Sequence, residues 1–288
     1  MRIALGTANF GQKYGLSGKT IKSKKNVKKI MQFANNSKIK LIDTSNNYGS
    51  SESLLGNNNL KNFKIMTKLK FSNNEKKNNN LENIVFKKVE ESLFKLNIKK
   101  LYAILLHESN DLKGNKKHEL IKAMKKLKKK NLVSKIGVSI YNPRELDFIW
   151  PFWKPDIVQC PFNILDRRIY KSGWLDRLKR NKTEVHVRSI FLQGLLLKDE
   201  KLIPRRFKKW KNIFKKWNDY CKNENISKIQ GCINFIKSFK KISLVIIGFE
   251  DIKQVKTIIR SFKVDKKTYP SINCNEVKLI DPRLWQNI

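Results

Sequence analysis

The chain has 288 residues, longer than an ordinary domain but suited to an eight-unit α/β barrel of about 250 residues. At this size roughly three quarters of the unfolded surface can be buried, so a core needs neither metal nor disulfide. The formal charge is +39, a field that would draw phosphates, RNA and anionic surfaces without sequence preference. Only 11 of the 63 basic residues are arginine, however, and the lysines run through every segment. With abundant Asn and Ile this matches A/T-rich coding, whereas a dedicated nucleic-acid binder gathers its charge and favours arginine. No specific nucleic-acid partner is therefore expected.

Cys160, Cys221, Cys232 and Cys274 show no C-x-x-C spacing and read as reduced thiols of a cytoplasmic protein, with no metal site expected. Strand-like sequence begins at once, without the apolar stretch of a signal peptide, and no run approaches the roughly 18 apolar residues of a membrane span.

In chain order, strand-like runs alternate with helical ones. Ile3–Leu5 precedes a helix over Lys24–Ser37, Lys40–Asp43 a helix near Glu52–Asn57, and Phe63–Lys68 a helix over Leu81–Leu96. In that third helix Ile84, Val85, Val89, Leu93 and Leu96 share one face while lysines and glutamates take the other. Leu101–His107 leads to a helix from Lys117, and Val133–Ser139 to one opening at Pro143 with Asn142 as N-cap. Asp156–Gln159 comes before Gly173–Arg180. Glu184–Ser189 comes before an insertion, residues 198–217, and a helix from Ser227 to Phe239. Leu244–Ile247 and a helix from Asp251 complete eight β-then-α units. These predict a closed (β/α)8 barrel of the TIM type, a single domain over residues 1–288 with a C-terminal tail at 264–288. The rival, a doubly wound open sheet, ordinarily carries G-x-G-x-x-G after an early strand when it binds a dinucleotide, and this chain has none.

Barrel active sites gather at the C-terminal ends of the strands. Those ends read Gly6-Thr7, Asp43, Lys68, His107, Ser139, Gln159, Arg188-Ser189 and Gly248, almost all polar or glycine. Tyr48 follows Asp43 by five residues in a glycine-punctuated loop. Taken singly, an Asp after a strand is usually a cap, a Lys here is usually solvated, and a His or loop Tyr is usually structural. Taken together and in this order, Asp43, Tyr48, Lys68 and His107 point to carbonyl reduction.

These residues resemble the aldo-keto reductase superfamily, in a bacterial branch. Gly6-Thr7-Ala8-Asn9-Phe10-Gly11 is similar to its opening loop. Asp43-Thr44-x-x-x-Tyr48-Gly49-x-Ser51-Glu52-x-x-Leu55-Gly56 is similar to its signature, and Gly137-Val138-Ser139 follows in family order. The branch is suggested by Gln159-Cys160-Pro161-Phe162-Asn163 and by Val187 to Leu196. The resemblance implies NADP or NAD bound across the barrel mouth, and a small-molecule aldehyde, ketone or sugar carbonyl as substrate. It implies Tyr48 as general acid, Lys68 lowering the phenol's pKa, Asp43 holding Lys68, and His107 orienting the carbonyl. It assigns the coenzyme to Gly6, Thr7, Ser139, Gln159, Arg188, Ser189, Gly248, Glu250 and Gln254.

Three positions depart from the family. Ile140 stands where Asn usually grips the nicotinamide amide, a task left to Gln159. Arg188 stands where an aromatic residue often stacks on the nicotinamide. Gln254 stands where NADPH-preferring members often carry Arg, with Glu250 and Asp251 beside it. The variable loops expected to wall the pocket are Asn9 to Gly15, Glu108 to Gly114, Lys198 to Trp217, and the tail with Trp285. The alternative reading is a nucleotide-binding regulatory barrel without physiological turnover.

Overall fold

The structure, a computed structural model, describes residues 2–77, 80–249, 251–263 and 269–287. Eight parallel strands close into a barrel in sequence order: β1 (Arg2–Gly6), β2 (Leu41–Asp43), β3 (Lys64–Leu69), β4 (Leu101–Leu106), β5 (Val133–Ser139), β6 (Ile157–Pro161), β7 (Glu184–Arg188) and β8 (Leu244–Ile247). β1 pairs with β8 to complete the ring. The (β/α)8 expectation holds, with strand ends shifted by a residue or so. Residues 264–268 and Ile288 of the expected tail, and Glu250, lie outside the described residues.

Two apolar cores follow from the two faces of each strand. Ala4, Leu41, Met66, Ala103, Leu105, Ile157, Leu244 and Ile246 fill the barrel interior, and a larger cluster packs between strands and surrounding helices. Gly137 is needed where the interior is tightest. A Cβ there would lie 2.3 Å from the Ile157 carbonyl oxygen and 2.5 Å from Leu105 Cδ2.

Side chains alternate along a strand, so each inward residue near the top repeats two positions on. Stepping from Leu41 gives Asp43, from Met66 Lys68, from Leu105 His107, from Gly137 Ser139, from Ile157 Gln159, and from Ile246 Gly248. The parity that packs the barrel thus puts one polar or glycine residue at the mouth of each of these strands.

At the opposite end Glu184 accepts from Tyr102 Oη at 3.1 Å, His186 Nε2 at 2.8 Å and Lys135 Nζ at 2.5 Å. Those bonds hold its carboxyl well below the usual range despite the burial that opposes them. The helices track the expected segments, including Lys24–Asn36, Leu81–Leu96, Lys117–Lys129 and Lys228–Lys237. The helix expected to open at Pro143 runs from Glu145 to Ile149 instead, because Asn142 Oδ1 and the Glu145 carboxylate take the Arg144, Tyr141 and Asn142 amides in tight turns.

Candidate active site

Lys68 Nζ sits 2.7 Å from both carboxylate oxygens of Asp43, 3.0 Å from the Thr44 carbonyl and 3.4 Å from Tyr48 Oη. Lys68 is 1% exposed and Asp43 4%, so the pair is sealed beneath the mouth. Burial pulls the Lys68 ammonium below its usual pKa, and Asp43 works against that pull. The loop carrying Tyr48 is pinned from below. Ser51 Oγ donates to Thr7 Oγ1 at 2.8 Å, while the buried Glu52 accepts from Thr67 at 2.7 Å and Ser92 at 3.2 Å. The Ser51-Glu52 part of the motif thus anchors the loop to β3 and to the helix Leu81–Leu96.

The phenol of Tyr48 departs from expectation. Its pKa is raised, by burial first and then by Asp43. Arg188 pulls against both, and Lys68 Nζ, 3.4 Å from the hydroxyl, shares its charge with Asp43. His107 meets Tyr48 edge to face, with ring centroids 5.7 Å apart. Burial, then Lys68 and Arg188, push its pKa down to about 3, so the imidazole is neutral. Its Nδ1 lies 3.0 Å from Ser45 Oγ, which is also 3.1 Å from the Lys68 carbonyl.

Two adjoining clefts open here. The first, about 530 Å³, is lined by Tyr48, Lys68, His107, Ser139, Gln159 and Arg188, together with Tyr14, Tyr141, Gln193 and Arg283. The second, about 620 Å³, runs past Asn9, Ser189, Phe191, Gly194, Gly248, Phe249 and Gln254. Between them the Ser189–Gly194 turn holds Ser189, Leu192 and Gln193 at φ of 59°, 46° and 52°, left-handed values that side chains disfavour. Asn163 Nδ2 steadies it by donating to the Ser189 carbonyl at 3.1 Å.

The family model for aldo/keto reductases matches residues 2–276. The chain belongs to the aldo/keto reductase family. Solved structures with the same fold include the aldo-keto reductase AKR11C1 of Bacillus halodurans in its holo form. The two are 16% identical, with coverage of 94% of each chain and a TM-score of 0.72. The glycerol dehydrogenase AKR11B4 of Gluconobacter oxydans is 20% identical, with 92% of this chain and 87% of that one covered and a TM-score of 0.71. No curated protein matches the sequence. Family membership makes the chain an oxidoreductase of the class that reduces carbonyls with a nicotinamide coenzyme.

The residues present fit such a coenzyme. Gln159 Oε1 and Asn9 Oδ1 are buried without a partner among the described residues, two acceptors beside the clefts. Gln159 does more than expected, because its Nε2 donates to Asp43 Oδ1 at 2.9 Å. Ile140 is fully buried and contributes only backbone: its N–H to Gln159 and its carbonyl to Arg188. Arg188 lines the Tyr48 cleft, not the longer one. Asp251 is the N-cap of the helix Ile252–Phe262, accepting the Gln254 amide at 2.8 Å.

The expected walls are partly corrected. Trp285 is buried against Phe207 and donates to the Leu279 carbonyl, so the tail presents Arg283 to the cleft instead. Trp210 and Trp217 of the insertion bond Glu276 and the Leu196 carbonyl, bracing tail and turn from behind. Tyr141, Arg283 and Ser45 escaped the sequence reading. Tyr141 and Ser45, each two residues past a strand end, had a positional signal.

Proposed function

We propose that the protein is an NAD(P)H-dependent reductase of an aldehyde, ketone or sugar carbonyl, with Tyr48 as its general acid. One observation carries this reading: Tyr48 Oη lies 3.4 Å from a lysine that both oxygens of a buried aspartate hold in place, at the mouth of the barrel.

When bound, the nicotinamide supplies the hydride to the carbonyl carbon. NADP and NAD are both candidates, held by Gly6, Thr7, Ser139, Gln159, Ser189, Gly248 and Gln254. The raised pKa of Tyr48 keeps its proton in place at neutral pH until a carbonyl oxygen gains charge. Once that proton leaves, Lys68 Nζ faces the phenolate and stabilises it, which makes the transfer cheaper without ionising the resting phenol. Asp43 fixes Lys68, and Gln159 fixes Asp43. His107, held at Nδ1 by Ser45 Oγ, orients the same carbonyl oxygen beside the Tyr48 hydroxyl.

Loss of absorbance at 340 nm with NADPH or NADH, scanned over aldehydes, ketones and oxidised sugars, tests the reading. Tight coenzyme binding with no turnover of any carbonyl would count against it.

A further inference from the structure

Three cations line the Tyr48 cleft: Lys68, Arg283 and Arg188. Lys68 is matched by Asp43 at 2.7 Å, and Arg283 by Asp281, which takes its Nη2 at 2.6 Å and its Nε at 3.0 Å. Arg188 has no carboxylate among the described residues. It donates through Nη2 to the Ile140 carbonyl at 3.2 Å and through Nη1 weakly to Ser189 Oγ at 3.5 Å, and its guanidinium lies 4.2 Å from the centre of the Tyr141 ring. Arg283 packs on the same ring at 3.5 Å. Tyr141 thus supports the guanidinium of Arg188 while leaving its other N–H groups without an acceptor among the described residues.

A partly buried guanidinium without a counter-charge is costly, and proteins usually pair it. Here the cleft keeps one unmatched positive charge, since His107 is neutral and the other two cations are cancelled. The same charge reaches Tyr48 and His107, the two groups that would hold the carbonyl oxygen.

We propose that Arg188 receives a carboxylate of the substrate, so that the preferred substrates are oxo-acids: small molecules with a carbonyl at Tyr48 and an acid group on the β7 side of the same cleft. A guanidinium accepts a carboxylate through two parallel bonds, and a monoanion balances the single unmatched charge. A phosphate dianion would leave one negative charge over. The assignment of the carbonyl end rests on the reductase reading; the anion site does not.

The test is a binding measurement on the protein saturated with oxidised coenzyme, where no reduction occurs. Dissociation constants are taken for 4-oxopentanoate, its neutral amide and inorganic phosphate, with wild type, Arg188→Gln and Arg188→Lys. The acid is expected to bind wild type at least tenfold more tightly than the amide. That ratio should fall to within about threefold in Arg188→Gln and recover in part in Arg188→Lys. Equal affinity of wild type for acid and amide overturns the proposal, as does no detectable binding of the acid. Tighter binding of phosphate than of the acid overturns the carboxylate assignment. Weakened coenzyme binding in Arg188→Gln with the acid preference intact would move the guanidinium to the coenzyme and also overturn it. Because wild type alone decides the first outcome, a variant that fails to fold does not rescue the idea. Failure of the reductase reading shows separately, as absent turnover in the 340 nm assay.

Discussion

Gln159 Nε2 donates at 2.9 Å to Asp43 Oδ1, the oxygen that also binds Lys68 at 2.7 Å. A residue assigned by resemblance to the coenzyme is thereby tied into the proposed catalytic row, with its Oε1 buried and still to be satisfied. Gln159→Met should weaken coenzyme binding by about tenfold, the worth of one hydrogen bond to a buried acceptor, and should lower turnover by loosening Asp43. Fluorescence quenching titrations read the first effect; an unchanged dissociation constant would remove Gln159 from the coenzyme site.

Lys68→Met leaves Asp43 buried and unpaired. Breaking one partner of such a pair costs about 3–5 kcal/mol, whereas replacing both is far milder. Urea unfolding should therefore show Lys68→Met strongly destabilised and the Asp43→Asn, Lys68→Met double variant regaining much of the loss, while neither turns over. Equal stability of wild type and the single variant would mean that the pair is not desolvated as described.

His107 supplies a pH test. Its folded pKa of about 3 lies below the unfolded value of about 6.5, so below pH 6.5 the unfolded chain binds more protons and stability falls as pH drops. The slope is about 1.4 kcal/mol per pH unit for this one group. Between pH 7 and 5, wild type should lose about 2 kcal/mol more than His107→Gln does. Parallel losses in the two proteins would place the imidazole in solvent.

Much of this site was legible because a single rule, alternation along a strand, ties the barrel's packing to its chemistry. Leu41 inside means Asp43 at the mouth, and Met66 inside means Lys68. Tyr48 was legible from its spacing and its glycine-marked loop. Tyr141 and Arg283 reach the cleft from an irregular loop and from the tail, and Ser45 backs His107 from another loop, where no period reports direction. Trp285 misled because bulk in a variable tail suggests a pocket wall, whereas a Phe207 partner and the Leu279 carbonyl make it a plug. Asp251, beside Gln254 in the sequence, is engaged in capping a helix.

Coenzyme choice follows from that loop. With Gln254 at the longer cleft and no guanidinium in its place, discrimination between NADPH and NADH should stay within about tenfold, or 1.4 kcal/mol. Lysines farther off are largely screened beyond about 10 Å at moderate salt. Gln254→Arg should shift preference towards NADPH. A hundredfold preference in wild type, measured at fixed salt, would show that other cations grip the 2′-phosphate.

The proton donor is the centre of the account. Tyr48→Phe keeps the ring and removes the hydroxyl 3.4 Å from Lys68. Single-turnover reduction of an authentic carbonyl substrate should slow by about 10²–10⁴-fold, with the coenzyme dissociation constant unchanged within error. A variant that reduces the same substrate at near wild-type rate would contradict the assignment of Tyr48 as the acid.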